Sequence, residues 1–371
     1  SGAIARFFGE PAVAAMVAVL AGNFAFAAIG MVSDALLQRE LRFGRLVAIE
    51  LTVLAVSSAG SLGMAASGYG VWSLVIPNLV STMLRSLLLL RSARWRLRLG
   101  LDSSAISGVI GFSSSVLGFN ALLYFTRNAD RLVIGRALGA VDLGLYDYAY
   151  RFYMYPVEVI TGVLISVMGP TFSRLQDRRA ALGRAFLRAN GAIALVTFPM
   201  MIGLALVAGP FVRVVLGDQW TSVIPLVRIL APLGALQSLG ATSGQVFLAT
   251  GNAALRLRWA VIYTTVIVTS FVAGVPWGIL GVASAYATVM VPISLVGFWI
   301  ALRLVDLGLI ALWQTLARTI AATAAMAAAV GALELWLQFA AAGDIALLLA
   351  CVPLGVVVYA AVIWLVRPEA L

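Results

Sequence analysis

The sequence predicts an all-α fold, a polytopic transmembrane helical bundle. Three observations lead there. The mean hydropathy is +1.03. Of the 371 residues, 62% are hydrophobic and only 11% charged. The apolar residues gather in runs of about 20, the length a helix needs to cross a bilayer. A transmembrane barrel would require alternation with period two, and no such pattern is present.

Eleven spans follow from these runs: 11–34, 46–67, 70–91, 104–126, 143–170, 189–211, 222–248, 259–276, 278–302, 316–337 and 344–366. Gly and Pro are scattered through them, as membrane helices tolerate. Between the third and fourth spans lies the basic stretch RSARWRLRLGLDSS, residues 91–104. Its alternating Arg, Trp and Leu suit a segment at headgroup level. This divides the chain into 1–91 (three spans), a linker at 92–103, 104–302 (six spans) and 303–371 (two more).

All 25 basic residues are Arg, and the net charge is +10. Taking alternate loops, one side of the membrane holds sixteen arginines and the other five. The positive-inside rule makes the richer side cytoplasmic. The N-terminal end of this sequence is then periplasmic and its C-terminal end cytoplasmic. The charge therefore reports topology, and no nucleic-acid partner is expected. One of the rich loops, residues 173–190, reads as a short cytoplasmic helix on the spacing of Arg178, Arg184 and Arg188. The chain opens on Ser1 and runs straight into IARFFGEP. That reads as an internal start, with earlier helices missing.

There is no histidine and a single cysteine, Cys351. Their absence removes His-ligated metals, His acid–base chemistry and Cys-rich metal centres. No cofactor, metal or catalytic residue is expected. Cys351 reads as a packing residue in an apolar run.

Polar chemistry concentrates in residues 127–156, RNADRLVIGRALGAVDLGLYDYAYRFYMYP. Charges placed within an apolar bundle cost on the order of 2.5–3.5 kcal/mol each on insertion scales, so they mark partners or a wet cavity. Asn120, Arg127 and Asp130/Arg131 recur at helical spacing on one face. Asp147, Arg151 and Glu158 do so on the next helix. Asp147 precedes Arg151 by four, the favourable order for an ion pair. Pro156 removes one backbone donor and tends to kink this helix. Tyr124, Tyr146, Tyr148, Tyr150, Tyr153 and Tyr155 crowd the same region, either to stack on sugar rings or to form an interfacial belt. Elsewhere, Arg85 is expected to snorkel to its loop and Arg228 to reach the cavity mouth. Asp34 and Glu50 are expected to pair with Arg39 or Arg45, and Glu334 to sit at the interface.

Several motifs occur in order: IARFFGEP, LLQRELRF, GVWSLV, the 127–156 stretch running on into VEVI, MGPTFSRLQD, GDQW and GILGVASAYA. Together they resemble the Wzx-type lipid-linked oligosaccharide flippases of the multidrug/oligosaccharidyl-lipid/polysaccharide exporter superfamily. The resemblance implies a two-lobed, MATE-like exporter architecture with an incomplete N-lobe, lacking its first three helices. Residues 1–91 would be a partial N-lobe, 104–302 the C-lobe and 303–371 the additional C-terminal pair. The implied activity is transfer of undecaprenyl-diphosphate-linked oligosaccharide across the bacterial inner membrane by alternating access. This is transport and not an enzymatic reaction. Implied partners are that substrate, membrane lipids, a polysaccharide polymerase and a chain-length regulator.

Arginine binds phosphate bidentately and stays charged. Arg127, Arg131 and Arg151, with Asn120 and Tyr150, are therefore the candidate substrate-binding residues. The resemblance also implies ion antiport, for which Glu158, Asp130 and Asp147 are the candidate carboxylates. Glu158 ranks first, as the one expected deepest and most desolvated. Asp147 is expected to stay ionised as the partner of Arg151. Two alternatives remain: a multidrug or cation antiporter of the same superfamily, and a membrane polysaccharide ligase. An arginine-rich cavity suits a cationic substrate poorly, and a ligase would show a large external loop.

Overall fold

In hydrocarbon every backbone N–H and C=O must find its partner within the chain, so long apolar runs become helices. The structure is a computed structural model. It describes residues 12–40, 42–92, 128–176, 178–340 and 342–366, together with the isolated positions 2, 6, 9 and 124; the side chains at 12, 166, 167, 169, 170, 173, 253 and 366 are not described. Among the described residues there are twelve α-helices and no strand. Most of the linker and the whole 104–126 span except Tyr124 lie outside them.

Two units divide at residue 121. The first contains α1 (Ala12–Arg39), α2 (Phe43–Ala66) and α3 (Trp72–Ser92). α3 packs against both α1 and α2. Its closest approach to α1 is at Gly30, where a Cβ would lie 2.9 Å from Ser86 Oγ and 3.0 Å from its Cα. The polar centre of this unit differs from the expectation. Arg85 does not snorkel alone, and Asp34 and Glu50 do not turn to Arg39 or Arg45. Arg85 Nη2 donates to Asp34 at 3.0 Å and its Nε to Glu50 at 2.8 Å, tying all three helices together. In an apolar bundle an arginine lowers its cost more by meeting two carboxylates than by reaching for a distant loop.

The second unit holds α4 (Ala129–Ala137), α5 (Ala140–Arg174), α6 (Arg179–Leu206), α7 (Ala208–Leu216), α8 (Ile224–Ala249), α9 (Ala253–Gly274), α10 (Gly278–Arg303), α11 (Leu309–Phe339) and α12 (Asp344–Val366). Short 3₁₀ turns occupy Asp218–Val223 and Val275–Trp277. The basic 173–190 loop is not a separate helix: from Arg179 onward it forms the first turns of α6, which runs unbroken to Leu206. Nothing in AALGRAFLRAN breaks a helix, so the arginine-bearing turns continue the span.

α8 is the central helix of this unit and packs against α5, α6 and α10. Gly234 permits its contact with α5 and α6: a Cβ there would lie 3.0 Å from Tyr153 and 2.7 Å from Met201 Sδ. α9 and α10 form a tight hairpin. A Cβ on Gly274 would meet Gly281 O and Val282 Cα at 2.6 Å, and one on Gly281 would run into Trp277. α11 packs on α6 and α12, and α12 also packs on α7. Arg213 of α7 clamps Asp344 at the start of α12 through two bonds of 2.8 and 2.6 Å. That contact raises the Arg213 guanidinium above its ordinary pKa.

Among the described residues eight segments are long and apolar enough to cross a membrane, with α9 and α10 taken together as one of them. α5 has the length but carries Asp142, Asp147, Arg151, Glu158 and Arg174. Cys351 is buried, as its apolar setting suggested. Glu334, near the C-terminal end of α11, is 8% exposed and accepts a hydrogen bond from Gln338. The Arg228 guanidinium lies beside Gly209 and does not line the cavity described next.

Candidate functional site

Within the second unit, α4, α5, α8, α9 and α10 surround a cavity of about 840 Å³. α4 packs against both α5 and α9. Each helix offers the cavity one face. On α9 that face is Arg256, Trp259, Tyr263, Ile267 and Phe271, a three-or-four-residue recurrence. The lining is largely apolar with a few polar groups at set positions, the usual make-up of a small-molecule site.

The charged cluster forms where α4 meets α5. Arg131 Nε donates to Asp147 Oδ1 at 2.9 Å, and Arg151 Nε donates to Asp147 Oδ2 at 2.8 Å. One carboxylate thus holds two arginines. The Arg131 guanidinium also donates to Asn128 Oδ1 at 3.0 Å and sits 4.7 Å from the centre of the Tyr150 ring. Two hydrogen bonds and an aromatic face fix its orientation. Among the described residues Arg151 forms its ion pair with Asp147 alone, and its side chain is 72% exposed. Asp130 is 5% exposed and accepts from the Arg131 backbone N–H at 2.8 Å.

The structure therefore brings Asp130, Arg131, Asp147, Tyr150 and Arg151 together, and all but Asp147 line the cavity. Asn120 and Arg127 lie outside the described residues. Glu158 lines the cavity but is exposed, so it is not the most desolvated of the three carboxylates; Asp130 is. Counting turns from Pro156 measures distance along α5, whereas burial depends on which face of α5 meets a neighbour. The tyrosines split. Tyr146 and Tyr153 are fully buried core residues, Tyr148 packs on Trp220 at 4.5 Å between ring centres, and Tyr155 is exposed.

Some cavity residues carried no signal along the chain. Gln237 hydrogen-bonds Tyr286 across α8 and α10. Gln237 Oε1 is buried and has no hydrogen-bond partner among the described residues. Arg256 lines the cavity from the first turn of α9, although its place in the sequence marked it only as a loop arginine. Among the described residues no group of His, Cys, Asp or Glu could hold a metal ion.

A multi-pass helical membrane protein with a charged cavity among its helices has the build of a transporter. Residues 1–225 match the family described as "Polysaccharide biosynthesis protein", and the chain belongs to that family. It is 29% identical over 330 residues to the teichuronic acid biosynthesis protein TuaB of Bacillus subtilis, covering 87% of this chain and 68% of that one. To the lipopolysaccharide biosynthesis protein WzxC of Escherichia coli it is 24% identical over 303 residues, covering 81% and 62%. The chain thus spans about two thirds of the length of these relatives. Among solved structures it is similar to the lipid II flippase MurJ in an inward closed conformation. There the TM-score is 0.75 at 16% identity, covering 95% of this chain and 75% of that one. The likeness to MurJ establishes the fold.

Proposed function

We propose that this protein is a flippase. It carries undecaprenyl-diphosphate-linked oligosaccharide repeat units across the bacterial inner membrane by alternating access. The observation that carries this reading is the Arg131–Asp147–Arg151 network beside the cavity, in a chain of the polysaccharide biosynthesis family. A diphosphate crossing an apolar bundle needs permanent positive charge, and arginine supplies it with a bidentate donor fork. Arg127, Arg131, Arg151, Asn120 and Tyr150 are the proposed substrate contacts. Asp130 is the proposed coupling carboxylate, with Glu158 as second choice and Asp147 as the structural partner of the arginines. The uneven spread of arginines between alternate loops supports a cytoplasmic C-terminal end and a periplasmic N-terminal end for this sequence. A polymerase and a chain-length regulator are the proposed downstream partners.

The test is reconstitution in vesicles with a fluorescent undecaprenyl-diphosphate sugar. Its exposure on the outer leaflet is followed with a membrane-impermeant quencher. Quenching of the inner-leaflet pool faster than in protein-free vesicles is expected. Quenching no faster than in those vesicles would overturn the proposal.

A further inference from the structure

The charges lining the cavity are unevenly compensated. Where α4 meets α5, Arg131 and Arg151 face Asp147, and Asp130 lies against the Arg131 backbone. Two arginines there meet two aspartates, and their formal charges cancel. Arg256, lining the cavity from α9, makes no ion pair among the described residues. Glu158 of α5 lines the same cavity and is not bonded to it.

Arg256 is also distant from the other two arginines. Its guanidinium rests over Gly244: a Cβ there would lie 3.6 Å from Nη2, 3.8 Å from Nε and 3.9 Å from Cζ. Tyr153, one turn or less along α5 from Tyr150 and Arg151, lies against Gly234. From Gly234 to Gly244 α8 advances about 15 Å at 1.5 Å per residue. Trp259, one turn on from Arg256, packs over Gly297 of α10, where a Cβ would lie 3.2 Å from its ring nitrogen. Gly297 thus lets Trp259 lie close against the backbone of α10, while the exposed Arg256 side chain rests in ordinary van der Waals range of Gly244 on α8. The first turn of α9 adds the positive end of a helix dipole.

We infer that Arg256 forms a second anion station at the N-terminal end of α9, binding the phosphate groups of a lipid-linked substrate separately from Arg131 and Arg151. The inference rests on the flippase reading and extends it. Among the described residues Arg256 has no carboxylate partner, whereas a ligand at Arg131 must compete with Asp147. The substrate's charged head would therefore have its stronger contact at Arg256, and its weaker one about 15 Å along the cavity. Such asymmetry suits a carrier that captures at one end and releases at the other.

The purified protein in detergent is tested in competition binding against a fluorescent polyprenyl diphosphate. The competitors are undecaprenyl diphosphate, undecaprenol, phosphatidylglycerol and inorganic pyrophosphate. Arg256→Gln should weaken undecaprenyl diphosphate by about tenfold or more, the scale of one charge-assisted hydrogen bond removed. It should leave undecaprenol unchanged, and Arg256→Lys should recover part of the loss. Arg258→Gln, which changes net charge equally but does not line the cavity, should stay within about twofold of wild type. Wild-type affinity in Arg256→Gln overturns the station and leaves the flippase reading standing. So does an equal loss for undecaprenol, or an equal loss in Arg258→Gln. Arg256-dependent competition by phosphatidylglycerol as strong as by the diphosphate overturns it in favour of a bulk-lipid site. Equally strong competition by pyrophosphate overturns it in favour of a free phosphate. A wild-type protein that does not distinguish undecaprenyl diphosphate from undecaprenol overturns both readings.

Discussion

Asp147 accepts from Arg131 at 2.9 Å across the α4–α5 junction while its other oxygen accepts from Arg151 at 2.8 Å. Its removal frees two arginines at once. Asp147→Ala is expected to cost about 1–2 kcal/mol of stability, because the pair is partly exposed. Asp147→Asn keeps the side-chain oxygen and the shape and should cost less. Thermal unfolding in detergent gives the order. An alanine variant as stable as wild type would show that the network contributes nothing to the fold.

The arginines themselves are expected to matter for transport. Arg151→Ala and Arg131→Ala should each lower flipping in vesicles at least about tenfold, the scale expected when one charged hydrogen-bond donor is taken away. Lysine should restore more at position 151 than at 131. Arg131 uses its planar fork on Asn128 and Asp147 and its face on Tyr150, none of which an ammonium reproduces. Equal rescue by lysine at both positions would count against that distinction.

Coupling can be read from the carboxylates. With an imposed pH gradient, Asp130→Asn should flip substrate at a rate that no longer follows the gradient. Glu158→Gln, altering an exposed group, should retain most of the response. If Asp130→Asn responds like wild type and Glu158→Gln does not, the coupling role belongs to Glu158.

Arg85 carries the polar centre of the first unit. Arg85→Ala leaves Asp34 and Glu50 without their cation in an apolar setting, and should lower the unfolding temperature more than Glu50→Gln does. Adding Asp34→Asn to Arg85→Ala should recover part of the loss. A double variant no better than the single one would argue against a charge effect.

Orientation is open to labelling. Single cysteines at Ser92 or Arg179 should react only from the cytoplasmic side, and those at Gly68 or Gly343 only from the periplasmic side. Reaction of both pairs from one side would reverse or break the proposed topology.

Features local to the chain were the legible ones. Each described span expected from hydropathy has its helix, because twenty apolar residues in lipid leave the backbone no other choice. The Asp147–Arg151 pair was readable because a spacing of four on one helix is itself a contact. Arg85 with Asp34 and Glu50 was not, since those groups stand 51 and 35 residues apart and meet only when three helices pack. Burial of Asp130 ahead of Glu158 was hidden for the same reason. Arg256 gave no site signal because a basic residue near a helix start serves topology in most sequences.

The glycine contact between α9 and α10 bears on how the cavity could change shape. With Gly274 and Gly281 leaving backbone against backbone, the two helices have no side-chain layer on which to slide where they join. They must swing as one stiff paddle. The contacts that would have to slip are then those of α10 on α8 and α11, and those of α9 on α4 and α8. Arg256 and Trp259 would ride on the moving part, while Asp147 and Arg151 stay behind with α5.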